Sequence, residues 1–585
     1  MITIKNCLFK LIFTLFAVFF LAECNNGYTD VYEENIEQMW NNVIVPYNLP
    51  GTAIAWIESH VENWASFIVN LDGGTYELPS SNDFFYNNKF VRIILRADSP
   101  VTLTLKNGEQ GRLIGVGKNV SLVLGNNITL KGITDNTEPL VIVLDKGKLE
   151  MRNGSRIHNN KCSGNPGGAV LVINGFFTME GGTIDNNEAE QQGAGVLIAD
   201  QSVFTMSGGV IKNNKAMNGG GVAVYDNSIF TITGGTIENN EAIEYGGGVL
   251  LAQQASFSMT NSLIKNNKAL SGGGVAVFDN STITVTVGTI ENNEAEEIGG
   301  GVLLAQQSAF TLTNSIIKNN KAQGGGGVYL FESICNISGS TAINANEASV
   351  IGGGGIAVDQ DSAFTMTGGT IENNKSTTTG GGVFVVNQAT FTMTSGTIKN
   401  NSAQEGAGGV FVVNQAVFTM SDSAQIDSNT AGDLVGGGVQ VLLNSTFTMT
   451  GGIIKDNKAR GGGGVFVGMQ SVFTMSGNAQ IDANTAADLG GGGVLVFLNS
   501  TFTMTGGIIK GNTTKTDGGG VYLSESDFTK NGPSVIENNT ATGNGNSVCT
   551  YSRKRNSAVP AGEVLSAAWN TGSNSYTYVG VWDNY

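Results

Sequence analysis

GGGVAVYDNSIFTITGGTIENN (Gly219–Asn240) is followed one period later by GGGVLLAQQASFSMTNSLIKNN (Gly246–Asn267). Each stretch reads as a glycine run, a short apolar strand, a Phe-Thr-Met-Thr-like strand and an Ile-x-x-Asn turn. The unit, roughly 27 residues long, recurs from about Ile157 to Asn539. Its spacing is set by Phe177, Phe204, Phe230, Phe257, Ile283 and Phe310, in steps of 27, 26, 27, 26 and 27. A repeat of this length with period-2 alternation specifies a solenoid, in which each coil contacts only its neighbours. The fold class expected is all-β, a right-handed parallel β-helix of three-strand coils, about 15 of them regular and ~70 Å long at ~4.8 Å per coil.

Variation among the copies separates buried from outward positions. In the strand after the glycines the first residue is almost always Val (Val196, Val222, Val249, Val275, Val302), and the third is Val, Leu or Ile. The second wanders through Leu197, Ala223, Phe384, Gln440 and Tyr522. Alternate burial in a pleated strand gives this pattern. By the same logic Phe204 and Met206 point in, while Thr205 and Ser207 point out. Thr178, Thr205, Thr231, Thr311 and Thr365 then form a solvated, β-branched column. The asparagine of the turn recurs as Asn187, Asn214, Asn240, Asn267, Asn293, Asn320, Asn346, Asn374, Asn401, Asn429, Asn457, Asn484, Asn512 and Asn539. Asparagine tolerates left-handed backbone, and its amide can bond the next in a stack, so a ladder is expected.

Charge supports the stacking. The residue after the turn isoleucine runs Asp185, Lys212, Glu238, Lys265, Glu291, Lys318, Asn344, Glu372, Lys399, Asp427, Lys455, Asp482, Lys510, Glu537. A second series alternates through Glu188, Lys215, Glu241, Lys268, Glu294, Lys321, Glu347 and Lys375. In-register coils bring these within ~4.8 Å, where like charges repel and opposite charges gain ~0.2–1 kcal/mol per pair. A slip by one coil would reverse every pair.

Glycine accounts for 83 of 585 residues and proline for only 8, which suits many tight turns and excludes a disordered Pro/Gly linker. The net charge of −17 disfavours nucleic acid as a partner. Two histidines, His60 and His158, leave little for a His-ligated metal or a Ser-His-Asp triad. Cys162, Cys335 and Cys549 lie many coils apart, beyond the ~7 Å reach of a disulfide. No cofactor, metal or catalytic residue is predicted.

At the N-terminus, Lys5 and Lys10 precede an apolar run from Leu11 to Leu21 that reads as an export signal, too short to span a bilayer. Leu21-Ala22-Glu23-Cys24 resembles a bacterial lipobox, with Glu23 where a small residue is usual; the resemblance implies lipidation of Cys24. The layout expected is a signal over 1–23, a tether over 24–50, a cap with irregular coils over 51–156, the regular array over 157–549, and a C-terminal cap or tail over 550–585. Ile54, Ile57, Val61 and Trp64 have helical spacing, predicting a helix over the open end of the first coil.

Gly219-Gly220-Gly221-Val222 and Ile211-Lys212-Asn213-Asn214, with their equivalents, resemble the GGA[ILV] and FxxN repeats of polymorphic outer-membrane proteins, Ile standing for Phe. The resemblance covers about two-thirds of the chain. It implies a right-handed β-helix displayed on the cell envelope or outer-membrane surface, with a role in adhesion to a host or neighbouring-cell protein or glycan. Those proteins usually end in a translocating barrel, whereas only about 45 residues follow Asn539 here, so an N-terminal lipid is the expected membrane attachment.

Three functions stay open: adhesion, a polysaccharide lyase or hydrolase on the same fold, and a structural spacer. Hydrolysis needs two carboxylates at one glycosidic bond. Acids before the glycines (Glu190, Glu244, Glu296, Glu297, Glu405, Asp433, Asp488) share one edge, where solvated loop charge is the plain alternative. The post-glycine strand carries Tyr225, Phe278, Tyr329, Phe331, Phe384, Phe411, Phe466, Phe497 and Tyr522 at positions facing away from the core. Stacked, they predict an outward aromatic stripe, a candidate binding surface or a seam for side-by-side self-association.

Overall fold

A computed structural model describes residues 40–551 and the short strands Val564–Leu565, Trp569–Asn570, Ser575–Tyr576 and Val581–Trp582. The signal and Cys24 lie outside the described residues. The chain winds as a right-handed parallel β-solenoid of about 19 turns. Each regular coil contributes a post-glycine strand to a first, 19-stranded sheet, two segments to a second, 36-stranded sheet, and a strand of two to six residues to a third, 15-stranded sheet. The coil therefore has three faces but four strand segments. The Phe-Thr-Met and Ile-x-x-Asn segments share one face and fuse into single strands at Ala363–Glu372 and Thr390–Lys399.

Equivalent residues stack in register. Val222 pairs with Val249, Phe230 with Phe257 and Glu238 with Lys265. The first and third residues of the post-glycine strand are fully buried, as are Phe204 and Met206. Phenylalanines stack in two runs, Phe177 to Phe257 and Phe364 to Phe528, with centroids 4.5–4.9 Å apart. Offset parallel rings at this spacing add to burial. Between the runs Ile283, Phe310 and Cys335 occupy the same column. Burial pushes the Cys335 thiol far above its ordinary pKa, so it behaves as a small apolar side chain.

The turn asparagines form a buried column. Asn320 is representative: its Oδ1 accepts from the backbone N–H and the Nδ2 of Asn293 at 2.9 and 3.0 Å. Its own Nδ2 donates to the Ile290 carbonyl at 3.1 Å and to Asn346 Oδ1 at 3.0 Å. The left-handed backbone expected at these asparagines falls one residue earlier, at Asn213, Asn239, Asn266 and their equivalents. The ladder residue itself keeps φ negative, which turns its amide inward, and its neighbour makes the bend.

The two charge series stitch alternate coil boundaries. In the first, the lysines from Lys265 onward reach back, as Lys265 to Glu238 at 3.1 Å and Lys318 to Glu291 at 3.0 Å. In the second, each reaches forward: Lys215 to Glu241 at 2.6 Å and Lys268 to Glu294 at 3.2 Å. From Lys215 to Glu347 successive boundaries are thus bridged on one column and then the other. The pairs are half-buried in the first series and exposed in the second, so each contributes on the order of 1 kcal/mol or less and serves register more than stability.

Both ends are closed. The strand Asn41–Ile44 (β1) pairs with Ala65–Ile68, inside the stretch expected to be a tether, so the solenoid begins earlier than the sequence predicted. The reason is pairing: Val43 packs on the first coil, which no local pattern reveals. The helix Pro50–His60 (α1) buries Ala53 and Ile57 on the open end of the core. At the far end Val564–Leu565 and Val581–Trp582 pair antiparallel with the last coils, which halts parallel stacking.

Candidate functional site

The post-glycine strand carries two kinds of outward residue. Its second position does face away from the main core, but it is covered. Tyr329, Phe384, Phe411 and Phe466 are all buried below 9% exposure, with Leu197, Leu303 and Gln440 beside them in the same column. A continuous exposed aromatic stripe is therefore corrected: the loops that lead into the glycine runs fold over this column. Tyr329, Phe384 and Phe411 form a satellite core with Leu303, Ala357 and Ala407, against which Ile298 packs. Tyr522 is half-buried in the same way. Tyr329 donates its hydroxyl to Asp359 at 2.6 Å, and burial holds that phenol protonated.

Phe384 stacks on Phe411 at 5.6 Å, so Phe384→Ser is expected to cost ~2–4 kcal/mol in chemical denaturation. An unchanged denaturation midpoint would show that the covering loop does no packing.

The fourth position stays open. Tyr225 and Phe278 are half-buried, while Phe331 and Phe497 are exposed at 38% and 37%. Between Tyr225 and Phe278 the same column holds Ala252, whose N–H continues the ladder to the Val224 carbonyl at 3.0 Å; Phe278 N–H in turn donates to Leu251 at 2.9 Å. Large, small, large in successive coils leaves a notch.

A third ring enters from a break in the repeat. The third-sheet strand, two residues long in many coils, lengthens here to Glu241–Tyr245, with a register shift between Ala216 and Asn218 of the preceding coil. This carries Tyr245 edge-on to Phe278, centroids 5.0 Å apart and planes at 77°. Asn218 Oδ1 accepts from the Tyr245 N–H at 3.1 Å, and its Nδ2 donates to Glu244 at 3.4 Å. The resulting open groove holds about 330 Å³. Its floor is Leu250 and Ala252, its walls are Tyr225, Tyr245 and Phe278, and its rim is Asn218, Glu244, Asp279 and Gln306. No lysine or arginine lines it. Burial, helped by Asp226 and Asp279, holds the Tyr225 phenol well above its ordinary pKa, so it remains a neutral donor.

Of the predicted binding residues, the fold brings Tyr225 and Phe278 into this groove and aligns Phe331 beyond it. Tyr329, Phe384 and Phe411 go to the satellite core, Phe466 is buried further along the same column, and Phe497 stands apart, many coils away. Tyr245 and Ala252 were not singled out by the sequence. An aromatic just before a glycine run and an alanine between two aromatics were the available signals. Among the acids before the glycines, Glu244 alone lines the groove. Among the described residues no cluster of three or more His, Cys, Asp or Glu side chains is placed to hold a metal. No described helix is long and apolar enough to cross a membrane.

A family model described as right-handed β-helix region matches residues 148–299 and 300–479, together more than half of the chain. No curated protein matches it. Among solved structures the chain is similar to one titled as the PL6 family alginate lyase AlyGC, at 9% identity and a TM-score of 0.22, covering 86% of this chain and 99% of that one.

Proposed function

The chain belongs to the right-handed β-helix family, and from that premise we propose a non-catalytic binding protein of the cell envelope that engages a glycan through the Tyr225–Tyr245–Phe278 groove. The groove is the observation that carries this reading: three aromatic rings, two carboxylates and two carboxamides around an open floor. Aromatic faces stack on the C–H faces of sugars, and carboxylates and amides exchange hydrogen bonds with hydroxyls. The groove arises where the third-sheet strands of two adjoining coils lengthen to Lys215–Asn218 and Glu241–Tyr245 and shift register. In this reading the solenoid is a rigid stalk, attached through a lipid on Cys24, that holds the groove away from the membrane for a host or neighbouring cell.

The test is a glycan array on the mature chain, followed by titration of the best ligand. Tyr245→Ala, at an exposed residue, is expected to weaken binding about ten-fold, or ~1.4 kcal/mol, with no change in thermal stability. Undiminished binding would remove the groove from the proposal.

A second reading, a polysaccharide hydrolase or lyase, has one specific observation in its favour: Glu244 and Asp279 both border the groove. Incubation with polysaccharides and assay for reducing ends or unsaturated products decides it. Products that vanish in Glu244→Gln would replace the binding reading with this one.

A further inference from the structure

The groove is one station of a longer array with a two-coil period. The fourth-position column runs Tyr225, Ala252, Phe278, Ala305, Phe331, with each backbone continuing the parallel ladder to the coil before; Ala305 N–H, for example, donates to Val277 at 2.9 Å. Large rings recur every second coil, ~9.6 Å apart by strand spacing, with alanines between them. The next residue in each coil alternates on the same period: Asp226, Gln253, Asp279, Gln306, Glu332, Gln360. All six have left-handed φ, between 44° and 58°, and so stand at the bend that closes the strand. An aromatic beside an acid thus alternates with an alanine beside a carboxamide over five coils.

Building on the glycan reading, we infer that this column is a ruler for an extended, uncharged 1,4-linked β-glycan lying along the solenoid axis. In such a chain each sugar is turned over relative to its neighbour, so the same face returns every second residue. That disaccharide repeat is close to the two-coil spacing of the rings. Alternate sugars stack on Tyr225, Phe278 and Phe331. Those between sit over Ala252 and Ala305, where a larger side chain would block them, and meet Gln253 and Gln306. Asp226, Asp279 and Glu332 accept from sugar hydroxyls and repel a uronate chain, since no cation borders the groove to neutralise it.

Titration of the full mature chain with cello- and N-acetylchito-oligosaccharides of two, four and six residues tests this, with hexagalacturonate as the charged control. Affinity is expected to rise roughly ten-fold per added disaccharide in at least one neutral series, with hexagalacturonate unbound. Phe331→Ala, at an exposed ring outside the main groove, should bring the hexamer down to the affinity of the tetramer and leave the dimer unchanged. Ala252→Trp, in a column that already holds Tyr and Phe, should abolish binding while melting normally. Equal affinity for dimer and hexamer, equal binding of hexagalacturonate, or full binding by Ala252→Trp would overturn the ruler alone. Failure to bind any glycan on the array would overturn both the ruler and the reading beneath it.

Discussion

Replacing Asn320 by alanine is expected to remove ~3–5 kcal/mol from the stability of the surrounding coils, read as a lowered denaturant midpoint and faster amide exchange at Asn293 and Asn346. The side chain is fully buried and uses all four of its hydrogen-bonding valences. Alanine would strand the Asn293 N–H, one Asn293 Nδ2 donor, the Ile290 carbonyl and one acceptor on Asn346. Because each coil contacts only its neighbours, the loss should stay local and divide one cooperative transition into two.

Aspartate at the same position separates shape from hydrogen bonding. One carboxylate oxygen can still accept from Asn293, but the other faces the Ile290 carbonyl and Asn346 Oδ1, both acceptors. Burial without a donor or counter-ion raises the folded-state pKa above the unfolded value of ~3.9. The penalty is therefore smallest below that unfolded value, where the protonated acid donates once, and grows as pH rises toward neutrality. Asn320→Asp should fall below Asn320→Ala in stability at pH 7 and approach it in acid. Equal stability of Asn320→Asp and the unmodified chain at neutral pH would refute the inward, fully paired column.

The column at Asn320 was legible in the sequence because it depends only on repetition: a residue type that returns at one position of every coil reports one environment. The alternation of Val222 and Val224 with Ala223 was legible for the same reason. The fate of Phe384 was not. Period 2 says that it faces away from the main core, and says nothing about a loop from another part of the coil that lies across it. That loop varies in length and composition between coils, so its packing is a tertiary fact. The groove was half legible: Tyr225 and Phe278 stood out as aromatics, but the notch depends on Ala252 being small and on the longer strand that delivers Tyr245. A site made by departures from a repeat is seen only once the regular geometry is known.

Gly300→Ala is expected to cost ~5–7 kcal/mol, from about 1 kcal/mol for each of four disturbed inter-coil hydrogen bonds and 1–3 kcal/mol of overpacking. The residue needs no left-handed backbone, so the cost is one of space. A Cβ there would stand 2.5 Å from the Gly326 carbonyl oxygen, 2.5 Å from that of Lys321 and 2.7 Å from the Lys321 carbonyl carbon. These are backbone atoms of the next coil and cannot rotate aside. The coils would have to part where Gly299, Gly300, Gly301 and Val302 donate to Gly324, Gly325, Gly326 and Gly327 at 3.0–3.2 Å. Gly301 adds a link to the asparagine column, since a Cβ on it would press on Asn320 Nδ2 at 3.1 Å. The glycine run and the asparagine turn are therefore one device: removing the side chains from the first lets the second approach closely enough to bond. Gly51→Ala in α1, where a Cβ meets nothing within 4 Å, is the control and should hold or slightly raise stability. If Gly300→Ala melts with the unmodified chain while circular dichroism stays the same, the coils are not in backbone contact at the glycine run, and the close stacking that sets the two-coil spacing of Tyr225, Phe278 and Phe331 fails with it.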